Sequence, residues 1–285
     1  MENLINVDLN PLCGVANNLI DKLSSGIGWI VTHDTPDRLA QKIYIEEIQK
    51  SDFSPLVKAA MISNVNKTIK EYVNQVNIVK FAIDNMSSKA RPEDVEDDWL
   101  WQFMDKARLV SDEQFQLIWG HILKEECNAP NSIPKSLLHI LEQMDKTDAE
   151  GFGMLCSLSV YVSENGIKDF TPIVVASRLD DYYAKIGINY EMLSNLQSLG
   201  LIEMSVGFSD NVYKINVNKK PINIQYFDEV YSFPEYINHF ICGNVIYTKA
   251  GNALCRALTA EKKEGFFQEQ CVPIWKQQME KNTVK

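Results

Sequence analysis

Residues Trp99 to Phe152 read WLWQFMDKARLVSDEQFQLIWGHILKEECNAPNSIPKSLLHILEQMDKTDAEGF, and this stretch decides the fold. Ser111 followed by Gln114 has the form of a capping box. The hydroxyl would accept a first-turn N–H while the amide reaches back to the cap. Phe115, Ile118, Trp119, Ile122 and Leu123 then recur at helical spacing, predicting one apolar helix face. Ala129-Pro130-Asn131-Ser132-Ile133-Pro134 ends that helix, because a proline disfavours the α region for the residue before it. Leu137, Leu138, Leu141 and Met144 make a second apolar stripe. Thr147 and Glu150 form a second box, opening a third helix through Phe152, Leu155 and Leu158. Three helices joined by short turns predict a compact bundle. None of these residues implies a reaction.

Upstream the pattern stays helical. A first helix is predicted over Pro11 to Val31, with Leu12, Ala16, Leu19, Ile20, Leu23, Ile27 and Ile30 on its apolar face. Its glycine-rich end, Ser-Ser-Gly-Ile-Gly-Trp-Ile-Val, raises the idea of an interfacial membrane anchor. Lys22 is its only cation, so the electrostatic half of membrane binding is missing. Thr35 and Pro36 predict the start of a second helix ending near Lys50. A long third helix is predicted from Pro55 to Met86, with Asn64, Asn66, Lys70, Asn74 and Asn77 on its polar side. Pro92 opens a fourth. Glu93, Asp94, Glu96, Asp97 and Asp98 crowd its start, where carboxylates complement the helix dipole. They lack the glycine-punctuated loop of a calcium site.

Downstream of the turn Asn165-Gly166 the grammar changes. A short helix through Tyr183 and a helix capped by Asn189 precede Leu201-Ile202-Glu203-Met204. That segment reads as a strand, joined through Ser209-Asp210-Asn211 to the alternating Val212 to Val217. Ile222 to Tyr226 and Asn244 to Tyr247 are further strands. Thr248-Lys249-Ala250-Gly251 starts another helix, and the last runs from Gly265 to Glu280. Helix, Leu-Gly-Leu-Ile, hairpin and Tyr-Thr-x-x-Gly-x-x-Leu together resemble a winged-helix module. Such modules imply DNA contact through a recognition helix. Here that helix would present Asn195 and Gln197, with Lys219 and Lys220 on or after the wing. It holds no Lys or Arg, so DNA contact is disfavoured.

The predicted fold class is therefore mainly α, an N-terminal and central helical bundle followed by a C-terminal winged-helix-like α+β module. The divisions are 1–88, 89–168, 169–260 and a final helix over 261–285.

The central motif carries a second resemblance. Trp99, Phe103, Val110-Ser111, Gln116-Leu117-Ile118-Trp119-Gly120, Ile122-Leu123, Glu125, Pro130, Ser132, Leu138 and Phe152 resemble a family of uncharacterised bacterial proteins. Its motif reads like S-D-E-x-Q-x-L-W-x-x-I-L-x-x-E…P-x-S…L, and the likeness extends to Pro11–Lys42, to Leu-Gly-Leu-Ile and to Thr-x-x-Gly. This chain departs from it at Asn131, where glycine is expected, and at Pro134, where serine is expected. The resemblance implies a setting among mobile and defence-associated genes with a likeness to abortive-infection proteins. It implies no catalytic set.

Composition narrows the function further. The net charge is −10, and the whole deficit falls in residues 1–169, so the general field repels a phosphate backbone. Cys13, Cys127, Cys156, Cys242, Cys255 and Cys271 form no CxxC pair and read as reduced core thiols of a cytoplasmic protein. The N-terminus has no basic region of a signal peptide, and no apolar run reaches ~18 residues. Phosphate-binding G-x-x-x-x-G-K-[ST], G-x-G-x-x-G and G-x-S-x-G motifs are missing. His33, His121, His139 and His239 are isolated, though His121 and His139 fall on neighbouring helices. Glu261-Lys262-Lys263 matches half a nuclease motif but is predicted helical. Trp99, Trp101 and Trp119 read as core before they read as a base-stacking platform. Catalytic residues, metal ligands and cofactors are thus expected to be none. The expected function is a non-enzymatic cytoplasmic interaction component of an antiviral, abortive-infection kind, binding another protein or itself. The alternatives are a DNA-binding regulator and, further off, a metal-dependent nuclease.

Overall fold

A computed structural model of the protein describes residues 14–29, 38–164, 167–172, 180–204, 213–216, 222–233, 239–258 and 260–283. Among these residues helices predominate, with short strands in antiparallel pairs. The chain divides into two compact units, residues 1–138 and 139–285.

The first unit is helical: α1 (Val15–Ile27), α2 (Arg38–Lys50), α3 (Pro55–Asp84), a 3-10 turn (Pro92–Asp94), α4 (Asp97–Ala107) and α5 (Glu113–Asn128). Helix α1 stops at Ile27, four residues before the expected end. Gly28 takes φ +70° there, a left-handed cap that glycine adopts without Cβ strain. The next residue, Trp29, is tied down, its Nε1 donating to Gln75 Oε1 at 3.0 Å. The apolar face of α1, with Ala16, Leu19 and Leu23 buried, packs on α4 and the 3-10 turn. No helix among the described residues is long and apolar enough to cross a membrane. Thr35 and Pro36 lie outside the described residues.

Helix α3 is capped by Ser54, with Pro55 in its first turn. At 30 residues it extends for about 45 Å. Gln41 donates to Asn66 at 2.8 Å and Lys58 to the Gln49 carbonyl at 2.7 Å, which sets α2 antiparallel to the N-terminal half of α3. The C-terminal half is buried through Ile78, Val79, Ala82 and Ile83. Asn74, expected on the polar side, is only 6 % exposed. Its amide donates to the Arg108 carbonyl at 2.8 Å, and its Oδ1 accepts from Gln116 Nε2 at 3.2 Å. Asn77 donates to Gln116 Oε1 at 3.2 Å, completing an amide ladder between α3 and α5. Gly120 lets these helices approach, since a Cβ there would lie 2.5 Å from Phe81.

The core of this unit is the aromatic run Trp99, Phe103 and Trp119, whose successive ring centroids lie 5.2 Å apart. Trp101 is 59 % exposed, against its reading as core. Two residues turn a helix by about 200°, so Trp101 faces away from the stripe of Trp99, Leu100, Phe103 and Met104. The cap of α5 is Asp112, whose carboxylate accepts from Gln114 N at 2.9 Å and Phe115 N at 3.1 Å. A charged acceptor makes the stronger bond, and it displaces the expected Ser111–Gln114 box. After α5, the buried Glu126 holds the turn to α6 (Lys135–Gln143). Its carboxylate accepts from Asn131 N at 2.7 Å and Ile133 N at 2.8 Å. Burial pushes that carboxyl above its ordinary range, against the lowering effect of these backbone N–H groups.

The second unit begins in α6 and continues with α7 (Lys146–Cys156), β1 (Ser159–Glu164) and β2 (Ile167–Pro172). The reciprocal box opening α7 is Asp145 with Asp148, not Thr147 with Glu150. The expected helix through Leu158 ends at Cys156, and the chain turns directly into a hairpin with Glu164 opposite Ile167. Then come α8 (Asp180–Lys185), α9 (Tyr190–Ser198), β3 (Ile202–Met204), β4 (Tyr213–Asn216), β5 (Ile222–Tyr226), β6 (Glu229–Phe233), β7 (His239–Gly243), β8 (Val245–Tyr247), α10 (Lys249–Ala257), a π-helical turn (Phe266–Cys271) and α11 (Val272–Thr283). One sheet has the order β2-β1-β5-β6, and two further pairs are β3-β8 and β4-β7. Among the described residues, β3 does not pair with β4 as expected. Each instead pairs with a strand on the returning arm, β3 by Ile202 opposite Tyr247 and β4 by Asn216 opposite His239.

Two separately read sequence elements lock together here. Thr248 caps α10, accepting from Gly251 N at 3.1 Å. The same hydroxyl donates to the Gly200 carbonyl at 2.6 Å, and Thr248 N donates to Leu201 O at 3.0 Å. Leu-Gly-Leu-Ile and Thr-x-x-Gly are thus the two halves of one joint. On the other side, Tyr226 is fully buried. Its hydroxyl donates to Ser157 O at 2.7 Å and accepts from Lys263 N at 2.9 Å. Its ring stacks on Phe267 at 5.5 Å.

Candidate functional site

The residues expected to meet nucleic acid are only partly in place. Asn195 and Gln197 are exposed on α9. Gln197 Oε1, however, accepts from Met204 N at 2.9 Å, so its carbonyl end anchors β3. Lys219 and Lys220 lie outside the described residues.

The acidic start of α4 is ion-paired rather than open. Asp97 meets Lys22 at 2.6 Å, Asp94 meets Arg91 at 3.1 Å, and Asp98 pairs with Lys135. The Lys135 ammonium holds the Asp98 carboxyl below its ordinary range. Among the described residues no group of three His, Cys, Asp or Glu could hold a metal. Glu261-Lys262-Lys263 lies in an irregular segment, not a helix, and Lys262 is held by Asp228 at 2.7 Å and Glu229 at 3.0 Å. Asp228 lies in the β5–β6 turn and Glu229 opens β6, so the lysine holds the tip of that hairpin. His139 is exposed. His121 packs edge-on against Phe81 at 4.7 Å with a buried Nδ1.

Burial, and secondarily Lys124, hold the His121 ring below its ordinary pKa, with Glu125 opposing. The fold therefore favours the neutral ring. Its stabilising contribution is complete above the unfolded value and is lost as pH falls below about 6.5. Urea midpoints should drop more for the wild type than for His121→Gln between about pH 7.5 and about pH 5.5. Parallel pH profiles would remove His121 as the cause.

A cavity of about 140 Å³ lies in the second unit. Its walls include Cys156, Ser159, Tyr161, Phe227, Cys255 and Arg256. Cys156 closes α7, Ser159 opens β1, Cys255 and Arg256 sit on α10, and Phe227 is the turn residue between β5 and β6. Phe227 has φ +51°, a strained conformation for a bulky residue. Cys156 and Cys255 line the cavity together and are linked through the hydroxyls of Tyr247 and Ser159. Tyr247 OH donates to Cys156 Sγ at 3.5 Å and lies 2.8 Å from Ser159 Oγ, which is 3.9 Å from Cys255 Sγ. The bond from Cys156, then those from Tyr247 and Ser159 and the charge of Arg256, lower the Cys255 pKa against the cost of burial. Burial and the neighbouring sulfur push Cys156 up. These cysteines are core thiols, as the sequence reading expects. Their pairing had no spacing signal, because the partners come from distant parts of the chain.

A different feature stands at the α2–α3 corner. Ile43, Tyr44, Phe53, Leu56 and Val57 are exposed by 51, 52, 53, 80 and 42 %. Ile43 and Tyr44 sit in the middle of α2, and Phe53, Leu56 and Val57 at its turn into α3.

The model of a family described as Protein of unknown function (DUF2806) matches residues 64–270. No curated protein and no solved structure matches.

Proposed function

We propose a function for a chain that belongs to the DUF2806 family of proteins of unknown function: it is a non-enzymatic component that binds another protein through the α2–α3 corner. The observation that carries this reading is the exposed run Ile43, Tyr44, Phe53, Leu56 and Val57. Desolvating such side chains is a main source of interface affinity. The defence setting rests on the sequence resemblance alone. Purification of the native complex at low and high salt tests the reading. A stoichiometric protein partner should persist at high salt and be lost from Leu56→Glu/Val57→Glu, whose thermal transition should stay within about 0.5 kcal/mol of wild type. Retention of the partner by that double variant would sink the proposal.

The second reading, a DNA-binding regulator, draws on the order α8, α9, β3, β8 and α10, which parallels a winged-helix module. It is favoured by the exposure of Asn195 on α9 and weakened by the structural bond of Gln197. DNA that co-purifies and is stripped by salt, with binding lost on Lys219→Glu/Lys220→Glu, would select it.

A further inference from the structure

We propose that Cys156 and Cys255 form a reversible dithiol–disulfide couple that reacts with a small hydroperoxide admitted to the cavity they line. The two buried thiols share a linked pair of hydroxyl neighbours and line the same cavity. A cavity of about 140 Å³ holds several water-sized molecules, since liquid water takes about 30 Å³ each. Hydrogen peroxide fits that space, whereas a peptide does not. Polar Ser159 and Arg256 line the cavity beside the sulfurs, and the Tyr247 hydroxyl donates to Cys156 Sγ. Neither Cys127 nor Cys271 shares this setting. Both are buried, and burial raises their pKa.

The roles of the two sulfurs follow from their surroundings. Thiolate reactivity tracks the ease of losing the proton, and Cys255 takes the attacking role because Arg256, the next residue of α10, lines the same cavity and its charge favours a thiolate there. The Cys255 thiolate attacks one peroxide oxygen, the O–O bond breaks, and the departing hydroxide takes a proton to leave as water. Cys255 is then a sulfenic acid. The Cys156 sulfur attacks the sulfenic sulfur, gives up its proton, and a second water leaves as the S–S bond forms. In sum two thiols and one hydrogen peroxide give one disulfide and two waters. The peroxide gains the two electrons that the sulfurs lose. A dithiol reductant reverses the bridge by exchange. The product would tie the end of α7 to α10.

Peptide mapping of the full-length chain tests this directly. The native protein is treated with hydrogen peroxide, the remaining thiols are alkylated, and the digest is read for cross-links. The expected product is a Cys156–Cys255 peptide pair, reversed by dithiothreitol, with loss of these thiols at least about tenfold faster than loss of Cys127 or Cys271. In Cys156→Ser the sulfenic acid should accumulate on Cys255 and be trapped by dimedone. Bridges involving Cys13 or Cys242 instead, equal oxidation of all buried thiols, or no reaction at either position would each overturn the proposal. The wild-type map needs no variant to fold, so the proposal stays open to refutation if Cys156→Ser does not.

Discussion

Gly251→Ala is expected to unfold the second unit or to destabilise it by about 3–5 kcal/mol. A Cβ at this position would lie 1.9 Å from the Leu201 carbonyl oxygen, and a backbone oxygen has no rotamer by which to retreat. Moving α10 away would break the bonds of Thr248 to Gly200 and Leu201, leaving buried carbonyls unpaired at about 1–3 kcal/mol each. The same joint carries the Ile202–Tyr247 register of the β3–β8 pair. Denaturant titration followed by tryptophan fluorescence, where Trp275 reports this unit, gives the free energy. Gly153→Ala is the control, because no atom lies within 4 Å of its Cβ position. As a helix-interior glycine it should be neutral or stabilising by about 0.5–1 kcal/mol. Equal behaviour of the two variants would show that the close approach at Gly251 is not rigid.

That joint shows how far the sequence could be read. Leu-Gly-Leu-Ile and Thr-x-x-Gly were each recognisable, one as a helix end followed by a strand and the other as a helix start. Their contact was not, because pairing between distant segments leaves no local period. The same reason explains the strands. Ile222 to Tyr226 alternates and is found as β5. Ser159 to Glu164 followed the α7 stripe without a signal of its own, and its pairing with β2 and β5 makes it a strand. Helix positions fared better, since amphipathic period is local. The failures there came from side chains that defy the average, such as Asn74 turned inward onto Gln116 and Arg108, or Trp101 turned out. At the cavity, six positions named above come from four elements. Periodicity can bury Cys156 and Cys255, but it cannot say that they meet.

Glu126 supplies the other large effect, and it shows a polar residue doing what a turn motif was expected to do. The Pro130–Pro134 segment contains Asn131 at φ +68°, the place where glycine was expected from the family likeness. The turn is held from below: both Glu126 oxygens accept backbone N–H groups, from Asn131 and Ile133, and the side chain is 1 % exposed. Glu126→Ala would leave those donors buried and unpaired beside a small void, at about 3–5 kcal/mol. Glu126→Gln keeps the volume, but only one of its two terminal atoms can accept, so about 1–3 kcal/mol is expected. Asn131→Gly should act the other way. It removes the strain of a left-handed non-glycine residue while loosening the unfolded chain, leaving a net change within about 1 kcal/mol. The ranking Ala below Gln below wild type, with Asn131→Gly near wild type, is measurable by urea denaturation of the full chain. A Glu126→Ala protein as stable as wild type would mean that water or a rearranged turn satisfies the three-residue segment. The carboxylate would then have no structural hold on the passage from α5 to α6.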